Sequence, residues 1–359
     1  MSIPLRQPAR ISTRDLFARE YVLVKIQTDE GVDGVGYIYA GTKGATIVAL
    51  MVNQFCTPLL VGQDPSMISK HWASIYQEML LLGRRGAGLR ALSCVDIALW
   101  DLMGKKTGLP LYQLLGGHRS TVPAYASGGY YREGKDLQGL ADELARYQVM
   151  GFSDFKIKVG GVSIQQDVER VRVARETIGK DARLAIDANN AYTSVPEAVR
   201  AIEAFSKFDI WWFEEPLSPD YVDGHAQVAR RTTVPIATGE IEATRFGFHE
   251  LITKDAALIL QADAGVLGGI TEWLRVAHTA STFGIEVAPH WHANLHIHLV
   301  GAVSNALTVE YFVPEEDIYN FEEILLERLR PIHGQIEIPN RPGIGLVLDD
   351  GAVERYTIH

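Results

Sequence analysis

A series of apolar runs, each closed by a charged or imidazole-bearing residue, recurs through the second half of the chain and limits what it can fold into. The runs are FKIK (Lys156, Lys158), RLAID (Asp187), IWWFEE (Glu214, Glu215), PIATGE (Glu240), LILQAD (Asp263), EVAPH (His290) and LTVE (Glu310). Successive marks stand about 20–30 residues apart, the length of one strand–helix unit. Helical stretches such as SIQQDVERVRVARETIG, SVPEAVRAIEAFSKF and GITEWLRVAHTASTFG lie between them, and Gly179 and Gly284 mark the returns. From VPAYASGG at Val122 to Tyr311, eight strand candidates fit, which predicts an α/β fold with a (β/α)8-type barrel. The carboxyl ends of such strands converge on one mouth, so the residues that close the runs meet in space.

The first third keeps a different rhythm. YVLVKIQT (21–28) alternates as a strand, Gly31, Asp33, Gly34 and Gly36 turn the chain, and GYIYA resumes extended structure as a β-meander. From Thr46 to Leu82 the apolar spacing is helical with a break at Gly62–Pro65, and LRALSCVDIALWDLMGKKTG (89–108) is a long helix stopped by Gly108 and Pro110. A meander followed by helices makes an α+β domain of its own. The expected division is a capping domain over 1–121, the barrel over 122–325, and a Pro- and Gly-rich segment over 326–359 that packs back on the barrel or the first domain.

Charge narrows the partners. With 34 basic residues against 44 acidic ones, a net charge of −10 leaves no positive footprint for nucleic acid, and no Lys or Arg run supplies one locally. No segment reaches the roughly 18 apolar residues that suggest a membrane span. The opening MSIPLRQPARISTRD lacks the apolar stretch of a signal peptide. Cys56 and Cys94 are too few for a disulfide framework, so reduced core thiols and a cytoplasmic address are expected.

Asp187, Glu214 and Glu240 close the third, fourth and fifth strands, so their carboxylates are neighbours on the rim. A single acid after a barrel strand often caps the next helix. Three together repel one another unless a cation joins them or protons neutralise them. Ligation by oxygen alone favours Mg2+, or Mn2+, over zinc. Lys156 and Lys158 stand two apart on the second strand and therefore point to one side. Their repulsion, and a dication nearby, favour a neutral amine able to act as a base. On the other flank Asp263 closes strand six and His290 strand seven, where the carboxylate can fix the imidazole tautomer and raise its basicity. Lys158 and His290 then stand on opposite sides of a metal-bound ligand, an arrangement suited to moving a proton on either face of a carbon next to a carboxylate.

The ordered set KIK, DANN, FEEP, GE, D…GGITE and PH, preceded by VDIALWDLMGKKTGLPLYQLLGG, resembles the mandelate racemase subgroup of the enolase superfamily. The resemblance runs over nearly the whole chain. It implies a TIM-like, modified (β/α)7β barrel beneath an α+β N-terminal capping domain. It implies that Asp187, Glu214 and Glu240 hold Mg2+, which binds the substrate carboxylate. Lys158 and His290, the latter paired with Asp263, become the acid/base groups by the same resemblance. Lys156 and Asn189 match substrate contacts, Glu310 an acid that hydrogen-bonds the enolate oxygen, and Glu215 a support of the metal site. A homo-oligomer, often an octamer, is also implied.

Within that class, dehydration of a sugar acid (an aldonate or aldarate) to a 2-keto-3-deoxy acid is the expected activity. Racemisation, epimerisation or cycloisomerisation would use the same residues, and a zinc hydrolase built on the histidines of PHWHANLHIH or a non-catalytic barrel are the remaining alternatives. His292 either lines the pocket or is structural, while His296 and His298 fall in the following helix in packing or solvent roles. GVLGGI (265–270) lacks the Lys-Ser/Thr of a phosphate loop and reads as the turn into the sixth helix. Substrate specificity is expected in capping-domain loops near Arg6–Arg19 and Leu80–Gly88. Arg14, Arg84 and Arg85 there are either solvated or meet a second anionic group.

Overall fold

The computed structural model describes residues 1–358. Its N-terminal part is an antiparallel sheet of β1 (Ser2–Ile11), β2 (Arg14–Gln27) and β3 (Asp33–Tyr39) in that order. β2 serves two partners in turn: Arg14 to Glu20 pair with β1, and Tyr21 to Gln27 pair with β3. The segment Arg6–Arg19, expected as loop, is therefore mostly a β-hairpin. Pro4 and Pro8, and the register shift between Pro4 and Ala9, break the alternation of the buried Ile3, Leu5, Ala9 and Ile11 that would have revealed it.

Helices at Ala45–Leu60 and Ile68–Glu78 follow, the first passing through a π-helical segment at Val52–Cys56. The long helix Ala87–Thr107 lies so close to β3 that a Cβ on Gly36 would stand 1.9 Å from the carbonyl oxygen of Cys94, which explains glycine there. Gly108 ends the helix in a left-handed conformation (φ 71°).

The motif VDIALWD on this helix joins the sheet and helices to the rest of the chain. Buried Asp96 accepts hydrogen bonds from the Thr271 N–H (2.9 Å) and hydroxyl (2.6 Å). Trp72 Nε1 donates to the Gly268 carbonyl at 2.7 Å, and the Gly268 N–H donates to Ser93 Oγ at 3.0 Å. Asp101 accepts from the N–H groups of Val35 and Ile344, each at 2.8 Å. Asp96→Ala leaves both Thr271 donors unpaired in a buried contact and is expected to cost about 3 kcal/mol, read by denaturant unfolding. Burial pushes the Asp96 carboxyl up to about 7, against the hydrogen bonds from Thr271. Its folded value lies above its unfolded one, so its share of stability is full below the ordinary carboxylate range and is lost as pH rises through about 7. The unfolding midpoint of the wild type should therefore fall more steeply between about pH 4 and pH 8 than that of Asp96→Asn; parallel profiles would contradict this.

Eight parallel strands form the barrel: β4 (Thr121–Gly128), β5 (Asp154–Lys158), β6 (Arg183–Asp187), β7 (Ile210–Glu214), β8 (Ile236–Thr238), β9 (Ile259–Leu260), β10 (Glu286–Val287) and β11 (Val309–Tyr311). They run β10-β9-β8-β7-β6-β5-β4-β11, and a parallel bridge from Val287 to Ala306 closes the ring. An α-helix follows each of the first seven strands. Directly after the eighth come only short 3₁₀ turns at Pro314–Glu316 and Asn320–Ile324, and the next α-helix, Asp350–Tyr356, lies beyond a further strand, so the barrel is (β/α)7β. Ala185, Ala237 and Ala288 leave room inside for Trp212 and Tyr125, which fill the axis. The C-terminal segment adds β12 (Gln335–Glu337) antiparallel to β4, and its Gly343 carbonyl accepts from the Leu111 N–H, so the segment touches both barrel and capping elements.

Candidate active site

Strand register sets out the first half of the site. Lys158 pairs with Asp187 across β5 and β6, and Asp187 with Glu214 across β6 and β7, so three chemical side chains form one row at the strand ends. Glu240 follows β8 by two residues, through Gly239 at a φ of 122°. One carboxylate oxygen from each of Asp187, Glu214 and Glu240 lies within 4.8 Å of the others. Lys156, two residues before Lys158 and on the same side of β5, has its Nζ 2.6 Å from Glu214, 2.8 Å from Glu310 and 3.8 Å from Asp187. Lys158 Nζ donates to Asp187.

Burial opposes the charge on both lysines, yet the carboxylates around them outweigh it and hold both pKa values above the ordinary range. Repulsion between the two amines, expected to favour a neutral one, is thus the weaker effect among the protein's own groups. Glu214 goes the other way: burial, with Asp187 nearby, pushes it up to about 8 against the pull of Lys156. Burial and three neighbouring carboxylates raise Glu215 well above its usual value.

The donor set fits a hard divalent cation. It offers only oxygen, it is crowded with like charge, and several of its atoms lack partners. Both Glu215 oxygens, Glu240 Oε2 and Asn189 Oδ1 are buried without a hydrogen bond. Asn189 also holds Asp187 in place, through its N–H at 2.8 Å and its amide at 3.2 Å.

The second flank comes from residues just beyond short strands. Asp263 and His290 each lie three residues past the ends of β9 and β10 rather than closing them. Asp263 Oδ2 is 3.0 Å from His290 Nδ1, which turns Nε2 toward the cluster, 3.6 Å from Glu240 Oε2. Burial works against the imidazolium, but Glu240 and Asp263 raise His290 to about 9. Glu310 on β11 accepts from the Trp291 N–H at 2.9 Å, and Lys156 draws its pKa down to about 2 against the effect of burial.

The comparisons with known proteins decide the family. Residues 2–116 match the profile of the mandelate racemase/muconate lactonizing enzyme N-terminal domain, and 139–352 match that of the enolase C-terminal domain-like family. The chain belongs to the mandelate racemase/muconate lactonizing enzyme family. It is 39% identical to an arabinonate dehydratase of Saccharolobus solfataricus, over 94% of this chain and 90% of that one. It is 35% identical to a D-galactarolactone cycloisomerase of Agrobacterium fabrum, over 94% and 91%. Among solved structures, a racemase from Streptomyces coelicolor with bound magnesium superposes with a TM-score of 0.94 at 32% identity, covering 99% of this chain and 97% of that one. An L-talarate dehydratase from Polaromonas, complexed with magnesium and L-glucarate, superposes at 0.91 with 32% identity, over 100% and 95%.

The other three histidines of the PHWHANLHIH segment in this family member are held in the packing between elements. His292 Nε2 accepts from the Tyr39 N–H at 3.1 Å and its Nδ1 lies 3.4 Å from the Tyr319 hydroxyl, so it ties the N-terminal sheet to the barrel, and burial lowers it to about 3. His296 Nε2 accepts from the Ala264 N–H, and His298 Nε2 lies 3.0 Å from the Ile344 carbonyl; both are fully packed rather than solvated. GVLGGI is not a plain turn: Ala264–Leu267 is a short helix capped by Asp263, and Gly268 and Gly269 make the turn with positive φ. Arg85 reaches Glu242 at 3.2 Å. Sequence reasoning missed Tyr130, whose ring lies 5.0 Å from Lys158 Nζ. It follows the first barrel strand by two residues, and the strand-end rule that found the acids would have found it.

Proposed function

We propose that the protein is a Mg2+-dependent sugar-acid dehydratase that removes the proton next to a carboxylate and expels the neighbouring hydroxyl. One observation carries this reading. Lys158 and His290 reach the carboxylate cluster from its two flanks, the first on Asp187 and the second 3.6 Å from Glu240. Asp187, Glu214 and Glu240 would hold the Mg2+, which supplies a hard Lewis acid for the substrate carboxylate. Lys156, steadied by Glu214 and Glu310, is able to donate to a carboxylate oxygen as negative charge grows there.

One base takes the α-proton, the Cα–Cβ double bond forms, and the Cβ–O bond breaks. A proton from the acid on the other flank leaves with that oxygen as water. The resulting enol takes a proton at Cβ, gives up the proton of its Cα hydroxyl, and becomes the 2-keto-3-deoxy acid. The configuration of the substrate α-carbon determines which of Lys158 and His290 acts first. Asp263 keeps a proton on His290 Nδ1 so that Nε2 handles the exchange. Asn189 and Glu215 support the cluster, and His292 stands behind it.

A second reading has a specific support: relatives 35% and 34% identical are cycloisomerases of sugar-acid lactones or anhydro acids. Incubating the enzyme with Mg2+ and a panel of acid sugars in D2O separates the two. Dehydration predicts loss of one water and a 2-keto product. No loss of water, with a ring opened or formed and deuterium taken up, would mean cycloisomerisation, and α-deuteration with no keto product would mean racemisation or epimerisation.

Assembly with copies of itself and a cytoplasmic location belong to the same reading. Leu81 and Leu82 are 98% and 68% exposed, an apolar step that a partner copy would cover. The two cysteines are free and buried, which suits a reducing compartment.

A further inference from the structure

Four Lys or Arg side chains are buried among the described residues: Arg19, Lys156, Lys158 and Arg170. The other three each have a carboxylate within 4 Å, whereas Arg19 has none. Arg19 projects from β2 over the barrel mouth. Its Nη1 donates to the Tyr39 hydroxyl at 2.7 Å and its Nε to the Ile318 carbonyl at 3.3 Å, while Nη2 makes no hydrogen bond among the described residues. The guanidinium lies 4.4 Å over the ring of Trp291, which itself stacks on His290. Tyr130, the ring that packs against Lys158, is within reach of its charge. Arg19 therefore bridges the sides of the mouth that carry the two acid/base groups. A guanidinium withdrawn from water without an anion is costly, and stacking on an aromatic ring offsets only part of that cost.

Two more arginines have no ion pair among the described residues, and one of them, Arg90, is bonded to the same Tyr39. Arg90, in the first turn of the helix Ala87–Thr107, donates to the Tyr39 carbonyl at 2.6 Å and forms no ion pair among the described residues; the charges of Asp263, Glu240 and Arg14 all act on it. Arg14 begins β2 at the hairpin tip, where neighbouring Ser12 bonds to the carbonyl of Ala188 at the end of β6. Hairpin and helix are separate elements, and both bring cations to the same opening in a chain whose net charge is −10.

We infer that Arg19, with Arg90 on the shared Tyr39, is the subsite for the far end of the substrate, and that it takes a second carboxylate. The inference rests on the sugar-acid reading above and narrows it to dicarboxylic sugar acids. The planar fork of a guanidinium matches both oxygens of a carboxylate. A terminal hydroxymethyl group offers one oxygen and no charge, and would leave the arginine uncompensated.

The test is kcat/KM for matched pairs of aldarates and aldonates, on wild type and on Arg19→Met, which keeps bulk and loses the donors. The wild type should favour the diacid by about 100-fold, as expected for a charged hydrogen bond. Arg19→Met should cut that ratio at least tenfold or so, chiefly through KM of the diacid. Arg90→Met, a half-buried change at a helix start, should cut it too and decides the matter if Arg19→Met does not fold. Monoacids turned over as well as diacids by the wild type, or a preference retained in the folded variants, would overturn the subsite. Absence of turnover on every acid sugar would instead sink the dehydratase reading itself.

Discussion

Lys158→Ala and His290→Asn each lower kcat by about a thousandfold or more, the usual contribution of a positioned acid or base. The two side chains flank the carboxylate cluster from β5 and from the loop after β10, and neither supplies one of its three oxygens. Metal affinity should therefore survive both changes. In Lys158→Ala it should be equal or tighter, because a cation that lies on Asp187 is gone. Steady-state kinetics with calorimetric Mg2+ titration checks both halves, and near-normal turnover in both variants would contradict the assignment. The pair also identifies the base. In D2O the variant that lacks the abstracting group loses α-deuteration, while the other retains it.

Glu214→Gln is expected to weaken Mg2+ binding by more than about 100-fold, since even residues that only orient a ligand are worth 10–100-fold. The change preserves shape but offers a dication a neutral amide where a carboxylate would supply an anionic oxygen. It also releases Lys156, whose Nζ lies 2.6 Å from Glu214, and the Trp212 indole N–H, which donates to the same carboxylate at 2.9 Å. Activity should fall and be restored only in part by high Mg2+. Titration giving the wild-type affinity would count against Glu214 as a ligand.

The row Lys158–Asp187–Glu214 was legible in the sequence because each residue ends a run of at least four apolar or alternating positions, and parallel pairing then brings such ends level. Glu240, Asp263 and His290 were found by the same pattern, although their strands are only two or three residues long and the residues sit beyond them. The run of small and apolar residues after each strand hid where pairing stops. β1 was not legible, since its prolines and bulge disrupt the alternation that marks a strand.

Packing roles were harder still. His292, His296 and His298 look alike in PHWHANLHIH, and only the tertiary neighbours Tyr39, Ala264 and Ile344 make each a packed core histidine, with Nδ1 of His296 and of His298 left without a partner. Asp96 and Asp101 read as polar positions on a long helix, yet they fasten that helix to the barrel and the C-terminal segment. The setting of Arg19 depends on the ring of Trp291, far along the chain, and on the lack of any carboxylate within ion-pair distance among the described residues. No local pattern carries either fact.

Diffraction from crystals grown or soaked with Mg2+ tests the account at its centre. A single ion is predicted, bound by one oxygen from each of Asp187, Glu214 and Glu240, with Lys158 and His290 on either side of its open face. Saturating Mg2+ with no ion among those carboxylates, or an ion held elsewhere while activity persists, would contradict it.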